Sequence, residues 1–332
     1  MQRSRHLLLL AAFTGILTVM TLALLEGGLR IYQAVRHDSR YIVNDDILHH
    51  KLRSNVDIID RTRDNPFHLI TNSQGWPEAN DVPLAKPTKT FRLFEVGDSN
   101  TQGVIDHGQR MSDLVERDLN RQAGPDAPFY DVINTGTSSY SMLTYRLQIE
   151  YDILPREPNL VVINVDMTDV ANDLLYRKFA VRDASNRIVA LIDASETSRF
   201  NYLATPTGLI AVEKASPLYV WFVEHSATGY YLDKVISRLR YSGSLGALGY
   251  PVDESANWLS MEWTRDIEAN VGWSMAVLAE TIRMLKAADV AVLLTGVPHL
   301  PQFEGKWSPL PFDVLAAVAC AEGVPFLNDE LR

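Results

Sequence analysis

The chain has 332 residues, of which 46% are hydrophobic and 22% charged, and its formal net charge is −10. The length and composition suit one large globular domain with appendages. The acidic balance argues against a nucleic-acid partner, because phosphate contacts need a surplus of Lys and Arg on one face. The single cysteine, Cys320, rules out an intramolecular disulfide. We expect it to be a small buried residue on a helix.

Residues 7–25 form an apolar run without a charge, just long enough to cross a bilayer core as a helix. Arg3 and Arg5 precede this run closely, so the positive-inside tendency places the N-terminus in the cytoplasm and the rest of the chain outside. A cleavable signal peptide is the alternative. We favour a retained anchor, because the run is long for a signal and no clear small-residue cleavage site follows it.

The chain divides into three parts. Residues 1–30 form the cytoplasmic tip and anchor, and residues 31–90, rich in charge and turn residues, a juxtamembrane lead-in with a few strands. From residue 91 to 332, short apolar runs alternate with amphipathic stretches, which is typical of a parallel sheet with helical crossovers. The predicted core strands are 91–96, 130–133, 160–165, 290–295 and 324–327, and the predicted helices are 112–122, 142–152, 263–288 and 311–322. Residues 176–257 break this alternation and are predicted to be an insertion.

The predicted strand 91–96 runs directly into the polar turn Gly97-Asp98-Ser99-Asn100-Thr101-Gln102-Gly103. Ligands of open α/β sheets bind outside the carboxyl ends of the strands, so Ser99 stands where chemistry is expected. A serine hydroxyl there is a candidate nucleophile that needs a neighbouring base. The alternative is that Ser99 only caps the following helix.

The turn resembles the first conserved block of the SGNH, or GDSL-type, hydrolase family. Residues 132–136, Val-Ile-Asn-Thr-Gly, are similar to the second block, and residues 158–169 stand where the family has its third. A segment at residues 72–76 also resembles one that precedes the first block. The resemblance implies an α/β fold with three α/β/α layers around a central parallel sheet, of the flavodoxin-like kind.

The resemblance also implies roles for individual residues. Ser99 is the nucleophile, and the backbone N–H groups of Ser99 and Gly136 stabilise the oxyanion, where losing one donor costs about 3 kcal/mol. Thr168 occupies the position of the family's asparagine donor and is a candidate third donor, since a hydroxyl can donate one hydrogen bond. Supporting roles fall to Asp98, Asn134 and Asp169. For Asp169 and the nearby Asp166, a turn or helix-start carboxylate is an equal alternative.

The general base is the part of the site that the sequence locates least well. The family carries its histidine, with an aspartate three residues earlier, in a final block, and the sequence stops at residue 332 before such a block. We expect the complete protein to contain it. His299, just after the predicted strand 290–295, is the substitute that the chain offers. No other histidine of the sequence gives a comparable signal. No group of His, Asp and Glu residues has convincing metal-ligand spacing.

Together with the apolar N-terminal run, the resemblance implies a membrane-anchored extracytoplasmic serine hydrolase acting on ester bonds, with O-acyl groups on cell-surface carbohydrate as the expected substrate and neither cofactor nor metal. The predicted partners are an acylated small molecule or glycan and the membrane. The alternative is a catalytically inactive binding or assembly protein of the cell envelope. A nucleotide-binding domain is excluded, because no phosphate-binding glycine motif follows the first strand. The aromatic residues Trp221, Tyr230, Tyr231 and Trp258 are candidates for lining a sugar site, although core packing is the commoner role.

Overall fold

The computed structural model describes residues 2–36, 41–60, 66–192, 202–205, 208–211, 218, 221–222, 225–232 and 257–327. Much of the predicted insertion at 176–257 therefore lies outside the described residues. Among the described residues, the numbered helices are α1 (Gln2–Arg36), α2 (Ser99–Gln102), α3 (Met111–Gln122), α4 (Met142–Gln148), α5 (Asp169–Tyr176), α6 (Arg265–Ala287), α7 (Leu300–Phe303) and α8 (Leu310–Glu322), and residues 227–232 are also helical. Single π and 3-10 turns, Ile149–Ile153 and Leu154–Arg156, extend α4.

The strands fall into one central sheet and four small antiparallel pairs. The pairs are β1 (Ile42–Asp45) with β2 (His49–Leu52), β3 (Asp57–Asp60) with β4 (Phe67–Ile70), β8 (Ala180–Arg182) with β9 (Ile188–Leu191), and β10 (Tyr202–Thr205) with β11 (Gly208–Ala211). The central sheet contains β5 (Thr90–Val96), β6 (Phe129–Asn134), β7 (Leu160–Asp166), β12 (Ala291–Val297) and β13 (Phe326–Leu327).

Helix α1 contains the stretch that could enter a membrane. Its window Ala12–Tyr32 has a mean hydropathy of 1.6 and none of it is buried, and it is the one helix of the described residues long and apolar enough to span a bilayer. This window reaches beyond the predicted run 7–25. It includes Glu26 and Arg30, whose charges pair at 2.8 Å one helical turn apart.

The central sheet is entirely parallel, with the spatial order β6-β5-β7-β12-β13. The apolar β-branched run Val161–Ile163 is buried on both faces of the sheet, as parallel strands require. The chain leaves β5 towards β6 on one side and later returns to β7 on the other. The strand order therefore reverses at the gap between β5 and β7, and ligands of such sheets bind at this switch point.

Helices cover both faces of the sheet. Phe94, Ile163 and Leu294 point into the larger core with side chains of α4, α6 and α8. Leu93, Val132 and Val162 point the other way and pack against Val115 and Leu119 of α3. The predicted three-layer α/β/α class is confirmed.

One expectation changes in the structure. Cys320 lies on α8 as predicted for a helix, but it is exposed, because the buried stripe of α8 passes through Phe312, Leu315 and Ala319 instead. The predicted lead-in 31–90 shares the main core, to which it contributes Leu48, Trp76 and Val82. Side chains of this segment therefore pack in the same core as the sheet that carries the candidate site.

Candidate functional site

The turn after β5 presents Ser99 at the start of α2. Position 97 requires glycine, because an added Cβ would lie 2.0 Å from Thr101 Oγ1. Asp98 caps α2, its Oδ1 accepting the Asn100 N–H at 2.8 Å, so the cap is not Ser99 itself. The Ser99 hydroxyl donates to Asp98 Oδ2 over a long 3.4 Å, and its backbone N–H is one of the helix-start groups that lack an intrahelical acceptor.

Asp166, the last residue of β7, organises the opposite side of the switch point. Its Oδ2 accepts from Asn100 Nδ2 at 2.7 Å and from His299 Nε2 at 2.8 Å. Its Oδ1 accepts from the backbone N–H and hydroxyl of Thr168 at 2.8 and 2.7 Å. The carboxylate is 1% exposed, so the structure brings His299, from the end of β12, to a buried aspartate beside the Ser99 turn.

The pKa directions of this pair are opposite, as expected of an ion pair. Burial lowers the pKa of His299, but the hydrogen bond and charge of Asp166 outweigh burial and raise it above its usual value. For Asp166, burial raises the pKa, and the hydrogen bond and charge of His299, together with the two bonds from Thr168, outweigh it and lower the pKa. Below the folded pKa of His299 the pair therefore holds one negative and one positive charge, and above it the imidazole is neutral and can accept a proton.

Three carboxylates, of Asp98, Asp166 and Asp169, come together at this point, with oxygen atoms within 4.8 Å of one another. Burial, and then the charge of Asp166, raise the pKa of Asp98 and of Asp169. Of the three, Asp166 alone has a lowered pKa, so the negative charge is favoured there, because like charges at this distance repel one another. The spacing would also suit a cation, but His299, Asn100 and Thr168 already donate to both oxygens of Asp166.

Asp169 supports the turn rather than facing the nucleophile. Its Oδ2 accepts the Asp166 backbone N–H at 3.0 Å and the Tyr145 hydroxyl at 3.0 Å. Tyr145 lies on α4 and is buried. No sequence pattern connected it with this carboxylate, since the contact depends on how α4 packs on α5.

Three neighbouring strands end in the same local motif. After β5, β6 and β7, the side chain of Asp98, Asn134 or Asp166 accepts the backbone N–H two residues later, at 2.8, 2.9 and 2.8 Å. Aspartate and asparagine favour such turns because the short side chain replaces a backbone acceptor. The sequence signal for this motif is an aspartate or asparagine at the end of each predicted strand, and the sequence-based prediction did not use it.

This motif changes two of the predicted oxyanion donors. The Gly136 N–H donates to Asn134 Oδ1, and the Thr168 hydroxyl donates to Asp166, so neither hydrogen points to an open position near Ser99. Gly136 has a steric role instead, because an added Cβ would lie 2.3 Å from the Gln102 backbone nitrogen of α2. Asn134 holds the same helix, its Nδ2 donating to the Thr101 carbonyl at 2.7 Å.

The candidate sugar-binding aromatic residues are not assembled around Ser99. Trp258 is buried, 1% exposed, and its indole Nε1 donates to the Met167 carbonyl at 2.7 Å. Trp221 stacks on His225 at 5.2 Å, and Tyr231 makes an edge contact at 5.6 Å with Tyr32 of α1. In the described structure Trp258 therefore packs in the core, Tyr231 contacts α1, and Trp221 stacks on a neighbouring histidine.

No family model and no curated protein matches the chain. Solved structures similar to it include AlinE4, an SGNH-hydrolase family esterase, at 13% identity and a TM-score of 0.37, covering 73% of this chain and 77% of that one. Another is the lipase/acylhydrolase from Enterococcus faecalis, at 13% identity and 0.34, covering 71% and 74%. A third is a mutant of Axe2, an acetylxylan esterase from Geobacillus stearothermophilus, at 11% and 0.35, covering 71% and 75%. The first belongs to the family that the sequence motifs resemble.

Proposed function

We propose that the chain is a membrane-anchored SGNH-type serine hydrolase that cleaves ester bonds of O-acylated substrates outside the cytoplasm. The observation that carries the proposal is the placement of Ser99 at the switch point of the sheet, one residue from the Asn100 side chain that binds the Asp166–His299 pair. A nucleophile, an imidazole and a buried carboxylate in one place are the parts that acyl transfer through serine needs.

In the proposed reaction, Ser99 Oγ attacks the acyl carbon while His299 takes the hydroxyl proton at Nδ1, the nitrogen that Asp166 does not engage. The Ser99 backbone N–H, at the start of α2, stabilises the oxyanion. The bond from the acyl carbon to the alcohol oxygen then breaks, and His299 returns the proton to the leaving alcohol. Water, deprotonated by the same imidazole, releases the acid and restores Ser99.

The proposed location and substrate class rest on the N-terminal helix. An apolar helix preceded by Arg3 and Arg5 favours a cytoplasmic N-terminus and an outer catalytic domain. On that side, acyl esters of cell-surface carbohydrate are accessible to an anchored enzyme. The exposed Cys320 provides a direct test, because it is the chain's single cysteine. We expect a membrane-impermeant maleimide to label it in cells whose inner membrane is intact. Labelling only after lysis would place the domain in the cytoplasm.

Fluorophosphonate labelling of the full chain in detergent or vesicles tests the nucleophile. We expect the wild-type protein to be labelled and Ser99→Ala to be silent, with Ser73→Ala, a serine of the lead-in, as the matched control that keeps labelling. A folded wild-type protein that is never labelled, and that turns over no acetyl ester, would contradict a hydrolase.

A second candidate is a binding protein that keeps this arrangement of Ser99, His299 and Asp166 without turnover. The observation that favours it is that Gly136 and Thr168 donate to their own turns rather than to an oxyanion position. Such a protein would bind acylated glycan fragments equally well in its wild-type form and as the Ser99→Ala variant, and it would release no acid. Calorimetry of the variant with an acetylated oligosaccharide, beside a turnover assay of the wild type, separates the two candidates.

A further inference from the structure

Glu26, at the end of the apolar run of α1, binds a distant part of the chain. Its carboxylate accepts the backbone N–H groups of Ala227 and Thr228, each at 2.9 Å. It also accepts the hydroxyls of Ser226 at 2.8 Å and Thr228 at 2.9 Å. These donors stand at the beginning of the helical residues 227–232, so Glu26 caps a helix that follows it by 200 positions.

Two further residues of α1 reinforce this contact. Arg30 pairs with Glu26 at 2.8 Å and also donates from Nη2 to the His225 carbonyl at 2.8 Å. Tyr32 makes its edge contact with Tyr231 one turn further along. We call the described residues of this stretch, 218, 221–222 and 225–232, the foot segment. Glu26, Arg30 and Tyr32 therefore fasten the foot segment to the last turns of the candidate membrane span.

The foot segment exposes large apolar side chains beside this contact. Leu218 is 75% exposed, Trp221 57% and Leu232 45%, and on α1 Ile31 is 66% exposed. These side chains lie outside the core of the sheet domain. Tryptophan and tyrosine concentrate at membrane–water interfaces, where an amphipathic ring meets both headgroups and acyl chains.

We propose that the foot segment is a second membrane contact, which lies in the headgroup region of the leaflet where α1 leaves the bilayer and is latched there by Glu26. The proposal rests on the proposed membrane span of α1. The bilayer is the occupant that the structure favours, because the exposed apolar residues are continuous with an unburied apolar helix and fastened to its end.

Depth-dependent quenching tests the contact. In the full chain carrying Cys320→Ser and Leu218→Cys, an environment-sensitive dye on the new thiol is measured in vesicles of phosphatidylcholine and phosphatidylglycerol containing acyl-chain-brominated lipids. The same dye on native Cys320, exposed on α8, is the reference. We expect blue-shifted, strongly quenched emission at position 218 and weak quenching at position 320. Equal quenching at the two positions overturns the contact.

Variants of α1 test the latch in the same background. Glu26→Ala should bring quenching at position 218 close to the Cys320 level, and Glu26→Gln should lower it in part, because a neutral amide keeps one acceptor. Thr21→Ala is the matched control, since that hydroxyl bonds only to Leu17 of its own helix at 2.9 Å. Quenching at position 218 that is unchanged in Glu26→Ala would overturn the latch.

The measurement is independent of catalysis and is made with Ser99→Ala also present. Vesicle flotation accompanies it, and circular dichroism confirms that each variant is folded. A protein that floats with the vesicles but shows no quenching at position 218 contradicts the foot segment alone. Failure to float contradicts the anchor on which it rests, whereas the absence of esterase activity in the wild type bears only on the proposed function.

Discussion

Two histidine–aspartate pairs in this molecule have the same chemistry in opposite surroundings. His299 meets Asp166 at 2.8 Å, with the two side chains 22% and 1% exposed. His68 meets Asp57 at 2.5 Å across the β3–β4 hairpin, with side chains 41% and 77% exposed. Water screens the second pair, whereas the first loses water and gains a fixed geometry at the ends of β7 and β12. Burial and neighbouring groups, and not the residue types, therefore distinguish the chemistry of the two pairs.

The largest expected difference between the pairs is in reactivity. His299→Gln should slow fluorophosphonate labelling of Ser99 by about 10²–10⁴-fold, the usual contribution of a general base. His68→Gln, which breaks the exposed pair, should leave the rate unchanged. Labelling rates of the two variants, measured side by side, decide the matter. An unaffected rate in His299→Gln would assign the base to a residue other than His299.

Stability should separate the pairs next. Asp166→Asn removes the charge opposite a buried imidazolium and leaves fewer acceptors for Asn100 and Thr168, so we expect a loss of about 3–5 kcal/mol in the free energy of unfolding. Asp57→Asn should cause no measurable change. Urea unfolding at pH 6 gives both numbers. Equal losses would mean that burial does not distinguish the pairs.

The pH dependence sharpens the comparison further. The raised pKa of His299 makes its stabilisation complete below pH 6.5, the usual histidine value, and it is lost as the pH rises through the folded value. The lowered pKa of Asp166 makes its stabilisation complete above the usual value of 3.8, and it is lost as the pH falls through the folded value. The stability difference between wild type and His299→Gln should therefore be largest between these limits.

The pH dependence of the fluorophosphonate labelling rate should reflect the ionisation of His299 alone. Because protonated His299 cannot accept the Ser99 proton, the rate should fall on the acid side of a midpoint that lies above pH 6.5. Asp166→Asn should move this midpoint to lower pH, since it removes the charge that raises the pKa. A midpoint that stays in place in Asp166→Asn would separate the ionisation from this pair.

The smallest effect concerns Thr168. If its hydroxyl serves Asp166, as the 2.7 Å bond indicates, Thr168→Val should slow labelling by less than about tenfold. An oxyanion donor would cost about 10²–10³-fold instead. Thr168→Ser, which keeps the hydroxyl, is the matched control and should behave as the wild type. A loss of the larger size, rescued by serine, would restore the original prediction for Thr168.

The sequence was informative where the chemistry is local. Five apolar runs identified the strands of the sheet, and the turn after the first of them placed Ser99 at its carboxyl edge. The orientation of nearby polar groups was harder to predict. Gly136 and Thr168 both lie two residues after a strand-end Asx side chain, and that side chain takes their hydrogens.

The pairing of His299 with Asp166 could not be found by local patterns, because 133 positions separate the two residues. Their meeting depends on β7 and β12 being neighbours, with Val297 opposite Asp166 in the register. The rule for strand ends placed His299 on the correct edge of the sheet. To identify Asp166 as its partner, one must know the order of the strands in the sheet, which the periodicity of the sequence does not encode.

The β1–β2 hairpin has a practical consequence for anyone who removes helix α1 to obtain the rest of the chain on its own. His50 Nε2 donates to the Ser138 carbonyl at 2.8 Å, and Tyr140 donates its hydroxyl to the His50 carbonyl at 2.7 Å. Tyr41 accepts from the Arg53 backbone N–H at the base of the same hairpin. A cut must therefore fall before residue 41. Trimming to residue 90 would remove the hydrogen bonds of His50 to the loop after β6, and we expect the resulting fragment to aggregate.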